Sequence, residues 1–151
     1  MIKYFFSFLV VLLVAQCEKD TLPATVVQEA SFGKAFVLEQ EAQQTISGTD
    51  ASPLTLQLGK LSDSRCPEDV VCVWMGNATV TLMASDESGK SEQLDFCIGD
   101  CRPDPTRSKQ TIRVSFGEQA YDVTLLEVLP YPNTKTNATA NQVKLLVEPV
   151  S

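Results

Sequence analysis

Five cysteines, at positions 17, 66, 72, 97 and 101, are the residues of this 151-residue chain best suited to chemistry. A thiol can ligate zinc, exchange with a disulfide, act as a nucleophile or carry a lipid. Zinc knuckles offer two thiolates two residues apart, and neither Cys66-x5-Cys72 nor Cys97-x3-Cys101 has that spacing. A thioredoxin-like redox centre needs Cys-x-x-Cys at the start of a helix, and neither pair supplies it. The chain has no histidine, so Ser-His-Asp and Cys-His centres and imidazole metal ligands are excluded. Asp95, Asp100 and Asp104 match the spacing of no calcium loop. Glu68 and Asp69 are neighbours in sequence, so nothing sets two carboxylates across a substrate. No cofactor, metal or catalytic residue is implied. Structural disulfides remain, and four cysteines allow three pairings. A local pairing closes two small loops, each contributing about 2 kcal/mol in the loop-entropy model. A cross-pairing staples one strand to another and contributes somewhat more.

The compartment decides between thiol and disulfide. Residues 4–15, YFFSFLVVLLVA, form an apolar run preceded by Lys3. Twelve residues are too few to span a bilayer as a helix. A basic start, a short apolar core and small residues before a possible cleavage point describe a signal peptide over residues 1–16. The alternative, a buried core element, lacks the polar alternation of one. The run ends in Val14-Ala15-Gln16-Cys17, which resembles a bacterial lipobox, although Gln16 stands where Gly, Ala or Ser is usual. Cys17-Glu18-Lys19-Asp20 is similar to the start of envelope lipoproteins of the Bacteroidetes kind, whose lipoboxes are loose. That resemblance implies a lipid on Cys17 and attachment to a membrane, the outer membrane by expectation. Each buried methylene of the acyl chains contributes about 0.8 kcal/mol. Ordinary secretory cleavage would instead leave Cys17 as a spare thiol. With lipid on Cys17 the odd cysteine is explained and four are left to pair.

Charge narrows the partners. Without Lys3 the 12 basic residues become 11 against 19 acidic ones, a net charge of −8. This argues against nucleic acid and against electrostatic docking on anionic lipid. It suits a domain held off a negative surface, with a protein partner in the envelope as the remaining possibility.

Residues 17–31 read as a lipidated tether with little periodicity. Asp20-Thr21-Leu22 resembles an O-glycosylation acceptor of Bacteroidetes; a solvated linker is the plainer reading. Asn77-Ala78-Thr79 and Asn137-Ala138-Thr139 are N-glycosylation sequons, relevant only in a eukaryotic cell. Residues 32–151 read as short strands. Phe36-Val37-Leu38 begins one that Gln43 to Ser47 continues. Leu54, Leu56 and Leu58 alternate with polar residues, as do Ala78, Val80 and Leu82, then Leu94, Phe96 and Ile98. Ile112 to Phe116, Tyr121 to Val128 and Val143 to Val147 follow, with a phase slip at Leu125-Leu126 that a β-bulge would produce. The turn signals lie at 48–53, 85–90 and Gly117-Glu118. Seven or eight strands at this spacing predict an all-β, antiparallel sandwich of immunoglobulin-like architecture. About 120 residues can bury roughly two-thirds of their unfolded surface.

One segment is distinctive. Asp63-Ser64-Arg65-Cys66-Pro67, then Cys72-Val73-Trp74-x-Gly76-x-Ala78, resembles a segment of small bacterial envelope lipoproteins. Their later Tyr-x-Val-x-Leu-x-x-Val-x-Pro run is matched by Tyr121 to Pro130. Members commonly carry only the first cysteine pair, so the resemblance implies the local pairing, Cys66 with Cys72 and Cys97 with Cys101. It implies no activity.

The same residues describe a structural corner. Asp63 and Ser64 can bond nearby amides, and Pro67 restricts the loop. Gly76 permits a bend, and Arg65 can pair with Asp63 or lie over Trp74. If the alternation runs back through Gly76, Trp74 shares the buried face of Ala78, Val80 and Leu82. A functional loop offering Glu68, Asp69 and Val70 to a partner is the alternative. The expected function is a non-enzymatic, lipid-anchored envelope protein that binds or supports through loops or a sheet edge. Its rival is an extracellular peptidase inhibitor presenting the Cys66–Cys72 loop; an enzyme with a carboxylate centre ranks last.

Overall fold

The period-two alternation becomes the two faces of each strand, and the apolar faces meet in one core. The computed structural model describes residues 30–136 and 139–150. The expected signal peptide, the expected lipidation site Cys17, and Asn137 and Ala138 of the second sequon lie outside the described residues. Within them run β1 (Ala30–Ser31), β2 (Phe36–Glu39), β3 (Gln43–Ser47), β4 (Leu54–Asp63), β5 (Asn77–Ser85), β6 (Ser91–Gly99), β7 (Gln110–Phe116), β8 (Gln119–Leu129) and β9 (Gln142–Val150). They form two sheets, ordered β1-β3-β4-β5-β6 and β2-β9-β8-β7. Every pairing is antiparallel except β1 with β3. The sandwich layers are those expected. The connectivity is a meander: β3 to β6 follow in order across one sheet and β7 to β9 across the other.

Nine strands appear among the described residues, not seven or eight, for two local reasons. The 36–47 stretch, read as one strand, breaks at Glu41, whose φ is 66°. The break sends β2 to the sheet of β9 and β3 to the sheet of β4. Ala30 and Ser31, read as the end of the tether, pair with Ile46 and Ser47 and so belong to the sandwich.

Both inner faces are apolar. Leu54, Leu56, Leu58, Val80, Leu82, Leu94 and Phe96 from one sheet meet Phe36, Val123, Leu125, Val143 and Leu145 from the other in one buried cluster. The phase slip at Leu125-Leu126 is a register shift between Leu125 and Glu127 against β9, as the sequence predicts. A second shift, between Leu58 and Leu61 of β4, was not anticipated; Leu61 leaves the phase of Leu54, Leu56 and Leu58. Buried Tyr121 stacks on Phe32 with ring centroids 5.8 Å apart, and its hydroxyl donates to the Ser52 carbonyl at 2.7 Å.

The loops 64–76, 100–109 and 130–136 follow the ends of β4, β6 and β8 and gather at one pole of the sandwich. That pole carries both disulfides.

Two substitutions should separate packing from hydrogen bonding. Leu82→Ala, wholly buried between the sheets, is expected to cost about 2–5 kcal/mol. Tyr121→Phe removes one hydrogen bond to a carbonyl that water can reach, so about 1 kcal/mol is expected. Urea midpoints at unchanged slope would measure both.

Candidate functional site

The pole is built on close backbone approaches. Gly76 has φ 69°, and a Cβ there would fall 1.9 Å from the Ser64 carbonyl oxygen. Gly99 has φ 94°, and its Cβ would fall 2.7 Å from the Gly76 oxygen. Only residues without a side chain fit such approaches in the left-handed region. The three segments are laced by backbone bonds: Ser64 N–H to Asn77 O at 2.8 Å, Cys66 N–H to Met75 O at 2.8 Å, and Asp100 N–H to Gly76 O at 2.9 Å. Asn77 Nδ2 adds a bond to the Asp100 carbonyl at 3.0 Å.

The disulfides close on this frame. Cys66 joins Cys72 with Cα atoms 5.9 Å apart, and Cys97 joins Cys101 at 6.0 Å. The local pairing is therefore the one the chain adopts, and these four thiols are not free to ligate or exchange.

Arg65 ties the frame to the second sheet. Its Nε donates to Asp63 Oδ1 at 2.9 Å and its Nη2 to Oδ2 at 2.6 Å. The Arg65 amide also donates to Asp63 Oδ1, at 3.0 Å. Nη2 reaches the Val128 carbonyl of β8 at 2.8 Å, and the guanidinium lies 4.2 Å above the Tyr131 ring. The ring under Arg65 is thus Tyr131. Trp74 instead has Arg102 near its face, 6.0 Å from the centroid.

Trp74 corrects the sequence reading. It is 46% exposed, not buried with Val80 and Leu82. The positive φ of Gly76 breaks the alternation, so the phase of β5 does not extend back to residue 74. Its indole N–H donates to Asp100 Oδ2 at 2.6 Å, and Asp100 in turn pairs with Arg102 at 2.9 Å.

Glu68 and Asp69, which the alternative reading of the loop offers to a partner, are engaged with the chain itself. Glu68 N–H donates to the Pro132 carbonyl at 3.1 Å, and Asn133 Nδ2 donates to Glu68 Oε1 at 2.8 Å. The Thr134 amide donates to Asp69 Oδ1 at 2.9 Å and its hydroxyl to Oδ2. These bonds, the hydroxyl's first, hold the Asp69 carboxyl below its ordinary 3.8.

What the loop does present is apolar. Val71 and Val73 are fully exposed, and Val70, Trp74 and Met75 are exposed beside them. No charged residue occurs from Val70 to Asn77. A hollow of about 370 Å³ runs along the loop, lined by Pro67, Val70, Val71, Met75 and Tyr131. A second, of about 340 Å³, lies beyond Tyr131 and is lined by Arg65 and Arg107; each arginine is held by an aspartate, Asp63 or Asp104. Val71, Val73 and Met75 escaped the sequence reading. The usable signal was an apolar run, Val70 to Met75, that starts inside the five-residue cysteine loop and continues past Cys72 without the polar alternation of a strand.

The other acidic candidates stay apart. Asp95 accepts from Thr81 and Gln93, Asp100 from Trp74 and Arg102, and Asp104 from Arg107. Among the described residues no three His, Cys, Asp or Glu side chains gather as a metal would require. The arrangement is an exposed apolar tip on a base laced by hydrogen bonds and a disulfide. No protein-family model, curated protein or solved structure matches the chain.

Arg65→Met leaves Asp63 charged, buried and unpaired, and about 3–5 kcal/mol should be lost. Half-exposed Trp74→Ala should cost well under the roughly 3–5 kcal/mol of a core tryptophan. Chemical denaturation of both variants checks the order; a larger loss for Trp74→Ala would reverse it.

Asp69 sets a pH response. Its folded value is lowered, so its support of the 130–134 segment is present above the ordinary 3.8 and fades as pH falls through the lowered value. Amide exchange at Thr134, taken relative to an unstructured amide at the same pH, should rise over that acid window in the wild type. In Asp69→Asn it should be high already at neutral pH.

Proposed function

We propose that the chain is a lipid-anchored protein of the bacterial cell envelope whose sandwich is a non-catalytic binding module working through the Cys66–Cys72 loop. The carrying observation is the pair of fully exposed valines, Val71 and Val73, on a loop fixed by a disulfide and by the Cys66 N–H to Met75 O bond. Exposed apolar side chains gathered on a rigid base mark interaction sites, because little conformational freedom is lost on binding.

Support for the anchor comes from the apolar run that ends at Cys17 and from the resemblance to Bacteroidetes envelope lipoproteins. Cysteine arithmetic adds to it. Four thiols are consumed in two disulfides, so Cys17 is the odd one. Disulfides suit an oxidising compartment outside the cytoplasm.

Peptidase inhibition is the second reading. It is favoured by one detail: Val71 and Val73 stand free on either side of the pinned Cys72, as side chains entering a cleft would. Its target would be an extracellular peptidase with an apolar specificity pocket.

Replacing Cys17 by Ser should move the protein from the membrane to the soluble fraction and abolish labelling by a fatty-acid analogue. A wild-type chain that is soluble and takes no label sinks the anchored reading. A panel of peptidases titrated with the purified protein separates the two uses of the loop. Stoichiometric inhibition that Val71→Asp removes would establish the second.

A further inference from the structure

We infer that the Cys66–Cys72 loop seats its apolar tip in the very bilayer to which Cys17 tethers the chain. The inference rests on the anchored reading of Cys17 and names the surface that the loop binds.

The tip has the chemistry for it. Val71 and Val73 are fully exposed, Met75 and Trp74 are exposed beside them, and no charge interrupts the run from Val70 to Asn77. Tryptophan and tyrosine favour the boundary between headgroups and acyl chains, and Trp74 and Tyr131 are both exposed at this pole. The nearest acids are hydrogen-bonded within the chain: Glu68 and Asp69 to Asn133 and Thr134, and Asp100 to Trp74 and Arg102. Arg102, largely exposed, supplies a cation next to the indole, where lipid phosphates would lie.

The chain before Ala30 is long enough to let this pole meet the membrane. Ala30 pairs with Ile46, and Ile46 with Leu54, so the described chain begins level with the end of β4 remote from Asp63. In β3, Gln43 faces Gln57 and Ile46 faces Leu54, so β3 runs away from the cysteine pole. β1 is parallel to β3 and runs the same way. Thirteen residue steps separate Cys17 from Ala30, and their extended reach is about 45 Å. The nine steps of β4 cover about 30 Å. A lipid on Cys17 can thus lie in a bilayer on which the cysteine pole rests.

Charge selects the lipid. The mature net charge of −8 repels an anionic surface, so seating depends on apolar contact and is strongest on uncharged headgroups. An ordinary peripheral protein held by basic patches would behave in the opposite way.

Trp74 is the only tryptophan, so its emission reports on the tip alone. The full acylated protein would be reconstituted into phosphatidylcholine vesicles with plain or brominated acyl chains. Emission should be lower in the brominated vesicles, and the loss should shrink as anionic lipid is mixed in. The double variant Val71→Asp, Val73→Asp changes two fully exposed side chains. It should keep the wild-type circular dichroism and still float with the vesicles, yet lose the quenching. Vesicle-bound wild type with equal emission in both vesicles, freely quenched by acrylamide, would overturn the inference and leave the tip for a protein partner. Failure of the wild type to float would refute the lipid on Cys17, and the inference would fall with it.

Discussion

Asp63 and Arg65 form an ion pair that water scarcely reaches, with side chains 6% and 8% exposed. Burying two charges costs several kcal/mol each unless their polar atoms are satisfied. Here they are: two guanidinium-carboxylate bonds, a backbone amide on the carboxylate, the Val128 carbonyl on Nη2 and the Tyr131 ring beneath. The pair has a positional consequence. Asp63 ends β4, Val128 belongs to β8 in the other sheet, and Tyr131 begins the segment on which the cysteine loop rests. One side chain thus fixes the pole of one sheet to the pole of the other.

The exposed tip follows from that fixed base. Apolar side chains at a loop end would ordinarily collapse onto the nearest core. Val71 and Val73 do not, because the disulfide, the Cys66 to Met75 bond and the Glu68 and Asp69 bonds to residues 132–134 leave the loop no freedom to fold inward. The sandwich has a core without them. The disulfides stabilise these two loops; the core stabilises the fold.

An apolar tip on an acidic domain also constrains recognition. With a net charge of −7, the chain has no long-range attraction to nucleic acid or anionic lipid. Binding at this tip would come from short-range apolar contact, which is weak for a single loop and gains most when a tether keeps the surfaces close. Lipid on Cys17 and an apolar loop at the pole would work as two modest signals in one chain.

Alternation determined most of the sandwich from sequence alone. Leu54 to Leu58, Ala78 to Leu82 and Leu94 to Ile98 had to bury one face, and a two-residue period leaves only one way to do so. The bulge at Leu125-Leu126 was legible for the same reason. Spacing excluded a zinc knuckle, while the pairing of cysteines came from likeness and was settled by Cα separations of about 6 Å. Tertiary structure alone decided the site. The sign of φ at Gly76 does not appear in a pattern of apolar and polar residues, yet it turned Trp74 out of the core. Arg65 had two candidate partners within reach along the chain, but its second anchor, Val128, lies 63 positions away. Glu68 and Asp69 looked free because Asn133 and Thr134 meet them only after β8 has brought residues 130–134 back to the pole. Local periodicity fixes which face of a strand is buried; only closure of the two sheets decides what meets at their ends.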